Sequence, residues 1–200
     1  MEQPIVPAAR TVLAKAFAHD PLMVWFFPDD EARPHACAAL FGLFAEQYSR
    51  RGRVDVIRRT APVAAAMWRW PDGGGDDGAA DEDLPSVPGL MSALMGAQRA
   101  EQIRGAMSVI PELRPPEPYA YLHVLGVDPA LQGRGLGGEV LERGLGAARD
   151  AGLVACLETM NAANVSFYRS HGFEVLHEVR LAHGGPTVWV MGTATLGAAG

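Results

Sequence analysis

The 200-residue chain has no uncharged apolar run of roughly 18 residues, the length a membrane-crossing helix needs, so no membrane partner is expected. Its first residues, MEQPIVPAAR, lack a basic stretch followed by an apolar one. They do not read as a secretory leader, and a cytoplasmic protein is expected. Cysteine is scarce, with only Cys37 and Cys156 present. Both stand in apolar, regular-looking segments, which reads as two reduced core thiols. Histidines, cysteines and carboxylates nowhere cluster at ligand spacing, so no metal is expected. Positive charge is also in deficit, with a formal net charge of -6. That argues against nucleic acid as a partner, which demands many Lys and Arg. A polyanionic cofactor stays open, because backbone N–H groups can bind phosphate locally.

What is present is apolar residue, 48% of the chain, enough for a sizeable core, and the length suits a single domain over 1–200. Ile5–Arg10 reads as a short strand and Thr11–His19 as a helix. The segment DPLMVWFFPDD at 20–30 crowds large apolar residues between two turns and suits either core packing or a substrate wall. Ala36–Arg50 has helical spacing. Val54–Arg59 and Pro62–Trp70 read as strands. Residues 71–88, PDGGGDDGAADEDLPSVP, hold no Lys or Arg and read as a solvated flexible loop, or as an attractor for a cationic substrate. A helix over Gly89–Arg104 is expected next.

The second half alternates strand and helix. Tyr119–Val127 is a strand, Glu139–Asp150 continues a helix, and Leu153–Thr159 is a strand. Asn164–Ser170 is a short helix, and Phe173–Leu181 with Pro186–Thr193 form an antiparallel closing pair. That order implies a mixed sheet with helices on its faces. Between the first strand and helix of this half lies LQGRGLGG. Glycines let the chain turn sharply and bring N–H groups close to a ligand, and the helix start adds its positive end. Such a turn suits a pyrophosphate. Gly133, Gly135 and Gly138 satisfy the dinucleotide spacing literally, but too little sequence follows for a doubly wound sheet. No Gly-Lys-Ser/Thr occurs, so a Walker loop is excluded.

LGVDPALQGRGLG resembles the acetyl-CoA signature of the GNAT acetyltransferase superfamily, filled here by Val127, Pro129, Gln132, Gly135 and Gly137. LETMNAANVSFYRSHGF resembles that family's next motif through Asn164, Phe167, Tyr168, Gly172 and Phe173. More narrowly, AFAHDP, the LET run and PTVWVM resemble the puromycin N-acetyltransferase type. Met160 and Ala162 stand where that group commonly has Ser and Pro, so the drug is not carried over as substrate.

The resemblance implies an α/β GNAT fold: a central mixed, mostly antiparallel twisted sheet with helices on both faces. It implies acetyl-CoA as cosubstrate and a primary amine of a small molecule as acceptor, in a monomer or homodimer. The alternatives are a non-catalytic acyl-CoA-binding regulatory module, or an acyltransferase acting on a protein or peptide amine. The strand carrying the signature is expected to splay from strand 153–159. Backbone groups of Leu125 and Val127 would then flank the pantetheine arm, one N–H polarising the thioester carbonyl. The pyrophosphate would rest on N–H groups of Gln132, Gly133, Arg134, Gly135, Leu136 and Gly137, with the Arg134 side chain either helping or pointing into water. Tyr168 matches the tyrosine facing the sulfur, as proton donor to the leaving thiolate. Asn164 matches the asparagine near the arm, and could also cap its helix.

The residues leave the base open. Tyr121, His123, Leu125 and Val127 share a strand face by period two. An imidazole titrates near neutrality, which suits His123 as base or relay. Glu158 on the adjacent strand is a rival, and water is a third route. Cys156 has no base beside it in sequence, so direct transfer is expected rather than a covalent route.

Overall fold

The computed structural model describes residues 4–71, 83–116 and 118–194. Most of the expected acidic loop, residues 72–82, lies outside the described residues.

The chain opens with α1 (Ile5–Phe17), not with a strand. Ala8, Ala9, Val12 and Leu13 are its buried residues, and their helical spacing runs straight through the segment expected as a strand. Pro7 is tolerated because first-turn N–H groups have no partner within a helix. Asp20 and Pro21 start a short α2 (Pro21–Phe26), with the Asp20 carboxylate accepting the Leu22 N–H at 2.9 Å. The long α3 (Arg33–Arg51) follows. Arg33 at its start is buried, and its guanidinium donates to the carbonyls of Phe27 at 2.7 Å, Pro28 at 3.0 Å and Ala18 at 3.2 Å. One side chain thus ties the ends of α1 and α2 to α3.

Strands β1 (Arg53–Arg58) and β2 (Pro62–Arg69) form a hairpin. The helix expected over Gly89–Arg104 is two helices, α4 (Val87–Met95) and α5 (Ala97–Met107). Gly96 separates them with φ 83°, a left-handed turn that ends α4. Then come β3 (Tyr119–Val127), α6 (Leu136–Asp150), β4 (Val154–Thr159), α7 (Ala162–Arg169), β5 (Phe173–Arg180) and β6 (Thr187–Thr193).

The sheet order is β1-β2-β3-β4-β6-β5, and only the β3–β4 pair is parallel. It is the mixed, mostly antiparallel sheet that was expected. β2 shows how the two layers form: Ala64, Ala66 and Trp68 enter the core under α6, whereas Ala65 and Met67 enter the core under α1 and α3. Successive strand residues point to opposite faces, so one buried strand serves both layers. Gly144 of α6 lets that helix sit directly on Trp68; a Cβ there would stand 2.0 Å from the indole. Gly126 does the same on the other face, where a Cβ would stand 2.8 Å from Ala16 of α1. Cys37 and Cys156 are buried free thiols, as expected. Among the described residues no helix is long and apolar enough to cross a membrane.

Candidate active site

β3 and β4 pair only from Tyr119–Val154 to Leu122–Leu157. Beyond that point they part, while β3 keeps its partnership with β2 up to Val127. The Asp128 N–H donates to the Val63 carbonyl at 2.8 Å. Antiparallel alternation then turns Gly126 toward β2 and turns the peptide groups of Leu125 and Val127 into the gap. Buried backbone groups seek partners, so this edge is a ready template for an extended ligand. The Gln132 side-chain amide reaches back to the Val127 carbonyl at 3.4 Å.

The gap opens onto the glycine turn. Asp128 accepts the Ala130 N–H at 3.1 Å and pairs with Lys15 of α1 at 3.2 Å, which anchors the turn to the first helix. Gly133 and Gly135 have φ 74° and 77°, the left-handed region that L side chains rarely adopt. Gly135 is the N-cap of α6 and offers no side-chain cap. The first N–H groups of α6, at Leu136, Gly137 and Gly138, therefore stand where phosphate oxygens bind helix starts. Gly137 and Gly138 also let α7 come close: a Cβ on either would meet Phe167 at 3.3 Å or His171 at 2.9 Å. The Arg134 side chain is exposed.

The expected single face of Tyr121, His123, Leu125 and Val127 is corrected by the structure. Met67 pairs with Val124 and Trp68 with Leu122, so His123 is an extra residue on β3. A bulge of one residue reverses the alternation beyond it. Tyr121 and His123 stay on the α3 side, where His123 stacks between Tyr48 at 5.3 Å and Tyr121 at 5.6 Å. Leu125 and Val127 instead pack into the core beneath α6. They contribute backbone to the gap, and His123 contributes its ring to the opposite side.

A cavity of about 460 Å³ continues from the gap. α2 and α3 form one wall and α4 with α5 the other, through Met23, Phe26, Phe41, Met91, Ile103 and Met107. The apolar run at 22–27 thus serves both roles open to it: Met23 and Phe26 are buried, and they line the cavity. Asn164, Tyr168, His123 and Glu158 line its inner end together with Leu125, so the expected polar residues converge. Asn164 is not the cap of α7. Asn161 is, accepting the Ala163 N–H at 3.1 Å, which places Asn164 within the first turn, on the cavity wall.

Tyr168 lies one helical turn on and is buried, its ring against Phe167 and Phe173. Burial, and secondarily the nearby negative charge of Asp20, hold its phenol well above the usual range, so it stays a proton donor. Glu158 is not a solitary carboxylate. Arg114 Nε donates to its Oε1 at 2.5 Å, and the Tyr121 hydroxyl donates to its Oε2 at 2.6 Å. Arg114 also donates to the Tyr121 hydroxyl at 3.0 Å and lies over that ring at 4.2 Å.

Sequence reasoning missed Asp20, which also lines the cavity. Asp20-Pro21 read as a turn, and nothing local shows that its carboxylate ends beside Tyr168. Burial raises its pKa, opposed by hydrogen bonds from the backbone of Leu22 and Met23.

The model of the acetyltransferase (GNAT) family matches residues 59–173. Over 58 residues the chain is 43% identical to the N-alpha-acetyltransferase RimI of Mycobacterium tuberculosis, a match that covers 28% of this chain and 37% of that relative's length. Among solved structures, the histone acetyltransferase HPA2 and related acetyltransferase of Corynebacterium glutamicum superposes with TM-score 0.65 at 23% identity, over 98% of this chain and 93% of that one. A Drosophila melanogaster polyamine N-acetyltransferase gives TM-score 0.59 at 18% identity, over 96% of each chain. A mosquito arylalkylamine N-acetyltransferase-like protein gives 0.57 at 15%, over 94% of each. At such identities these structures speak for the fold.

Proposed function

The chain belongs to the acetyltransferase (GNAT) family, and from that premise we propose that it transfers the acetyl group of acetyl-CoA directly to a primary amine of a small molecule. One observation carries the reading: the apolar cavity reaches the parted β3–β4 edge at Leu125 with its polar end, and β3 runs on from that edge into the glycine turn at the start of α6. The residues fit the cosubstrate. The N–H groups of 132–137 suit its pyrophosphate, and the gap-facing peptide groups of Leu125 and Val127 suit an extended amide-bearing arm. Acetyl-CoA supplies an acetyl group already activated as a thioester.

The chain's own groups supply the rest. A backbone N–H on the β3 edge stabilises negative charge building on the carbonyl oxygen. Asn164 hydrogen-bonds the arm beside it. As the amine nitrogen bonds to the carbonyl carbon and the carbon–sulfur bond breaks, Tyr168 gives its proton to the departing sulfur. His123 takes the proton that the amine loses. Glu158, held by Arg114 and Tyr121, fixes the parted strands. The acceptor follows from the cavity's shape, bounded by helices on both sides, which suits a small amine better than a protein chain. The narrower likeness to the puromycin type assigns no drug.

The test is release of free CoA thiol from acetyl-CoA across a panel of amines, with mass spectrometry of the acetylated product. Thiol release that depends on amine and yields an N-acetyl product supports the reading. Tight acetyl-CoA binding without transfer to any amine would make the chain a binding module. Transfer only to peptide amines would replace the small-molecule acceptor.

A further inference from the structure

The charges on the cavity wall do not balance. Arg114 and Glu158 pair with each other at 2.5 Å, both almost wholly buried. Glu101 and Arg104 of α5 pair with each other toward solvent. Among the described residues this leaves Asp20 as the one cavity-lining carboxylate that no cation pairs with. It is fixed in place as the cap of α2, its Oδ1 accepting the Leu22 N–H at 2.9 Å. A desolvated carboxylate lacking a counter-ion is costly, and a ligand cation beside it recovers much of that cost. Most of the remaining wall is methionine, phenylalanine and aliphatic carbon. The cavity's size, about 460 Å³, falls within the range of small-molecule sites.

We propose that the acceptor is an amphipathic monoamine, its single ammonium docked by Asp20 and its aliphatic or aromatic body filling the apolar cleft between α2–α3 and α4–α5; the docked ammonium gives one proton to His123 to become the nucleophile, and the second N–H proton, released as the amide forms, restores the Tyr168 hydroxyl that protonated the sulfur. This rests on the acetyl-transfer reading and adds to it the class of acceptor. The wall is selective in three ways. A diamine would press its second cation against Met91 and Phe41, with no second free carboxylate to receive it. An amino acid would bring its own carboxylate toward Asp20. A peptide would bury backbone amides against methionine and phenylalanine without hydrogen bonds.

The experiment is calorimetry on the CoA-saturated protein with 2-phenylethylamine, its neutral counterpart 2-phenylethanol, putrescine and a short peptide with a free N-terminus. Thiol release with acetyl-CoA is measured in parallel. The key variant is Asp20→Asn, since asparagine caps a helix as well as aspartate and keeps α2 in place. Asp20→Ser is a second capping variant, and thermal melts check that each is folded. The wild type is expected to prefer 2-phenylethylamine over putrescine and the peptide. In Asp20→Asn the affinity for 2-phenylethylamine should fall by about ten- to a hundredfold, the scale of a lost charge-assisted hydrogen bond. Binding of 2-phenylethanol should barely move, which a merely structural role of Asp20 would not allow. Equal affinity for 2-phenylethylamine in wild type and both folded variants overturns the proposal, as does preference for putrescine or the peptide. Asp20-dependent binding without thiol release would keep the acceptor class and sink the transfer reading. Thiol release with putrescine alone would do the reverse.

Discussion

The Tyr121 hydroxyl donates to the Glu158 carboxylate at 2.6 Å, joining β3 to β4 at the point where the two strands cease to pair. Arg114, just beyond the turn at Pro111–Leu113, completes a three-way contact. The backbone ladder ends there, and side chains hold the two strands at the start of the gap.

Removing one member should therefore cost more than a surface ion pair would. Glu158→Ala leaves a guanidinium buried without its carboxylate. A loss of about 3–5 kcal/mol is expected on the scale of broken buried pairs. Chemical denaturation measures it, and a change below about 1 kcal/mol, the worth of an exposed pair, would show that the contact does not hold the strands.

Tyr168→Phe tests the proton donor. The ring and its contacts with Phe167 and Phe173 remain, and only the hydroxyl goes. Turnover should fall by about ten- to a thousandfold, in or near the usual range for proton-transfer help, while acetyl-CoA affinity stays level. Loss of an interaction made only in the transition state has that signature. Unchanged turnover would return Tyr168 to packing. His123→Ala should lower turnover by about ten- to a thousandfold; unchanged turnover would move the base elsewhere.

Gly135→Asp tests the phosphate turn. Aspartate tolerates the left-handed region better than most side chains and makes a good helix cap, so the variant should fold. Its carboxylate would then occupy the N–H groups at the start of α6 and repel phosphate. Acetyl-CoA affinity is expected to drop at least about tenfold, one step of roughly 1.4 kcal/mol, and calorimetry showing the wild-type value would displace the site from this turn.

Alkali should destabilise the fold through its two thiols. Burial pushes Cys37 from 9.0 up to about 11, and pushes Cys156, with the Glu158 charge second, from 9.0 up to about 12. Above pH 9 the unfolded chain gives up these protons while the folded one keeps them. Stability then falls with rising pH, by up to roughly 1.4 kcal/mol per pH unit for each thiol. Melting temperatures from pH 8 to 9.5, below the range where the buried phenols of Tyr119, Tyr121 and Tyr168 add their own alkaline decline, should show the effect, and a Cys37→Ala, Cys156→Ala double variant should flatten it. An equally steep decline in that variant would remove the thiols as its cause.

The sheet and its glycine turn were legible in sequence because their signals are local. Near-continuous apolar runs bounded by breakers mark β2 and β3, and glycines at 133 and 135 mark a turn whose dihedrals demand them. The misreadings have non-local causes. Ile5–Arg10 was expected as a strand, yet the burial of Ala8, Ala9, Val12 and Leu13 at helical spacing makes it the start of α1, where Pro7 sits in a first turn that has no bond for it to lose. The bulge at His123 is a property of the β2–β3 pair, visible only in the register. Asn161, three residues before Asn164, takes the cap, because α7 begins at Ala162 and not at Asn164 as expected. Asp20 is a helix cap by local chemistry, and only the tertiary fold brings it beside Tyr168 in the cavity wall.

The extra residue at His123 gives β3 a frame-shift halfway along its length. Before it, Tyr121 and His123 look toward the acceptor cavity. After it, Leu125 and Val127 turn their side chains under α6 and leave only main-chain atoms at the gap. On the proposed reading, the acceptor end is therefore written in side chains and the nucleotide end largely in backbone. Substitution on the apolar cavity wall, at Met91 or Phe41, is expected to retune which amine is taken without touching β3. A library built on those two wall positions would explore acceptor chemistry while leaving Tyr121, His123 and the glycine turn intact.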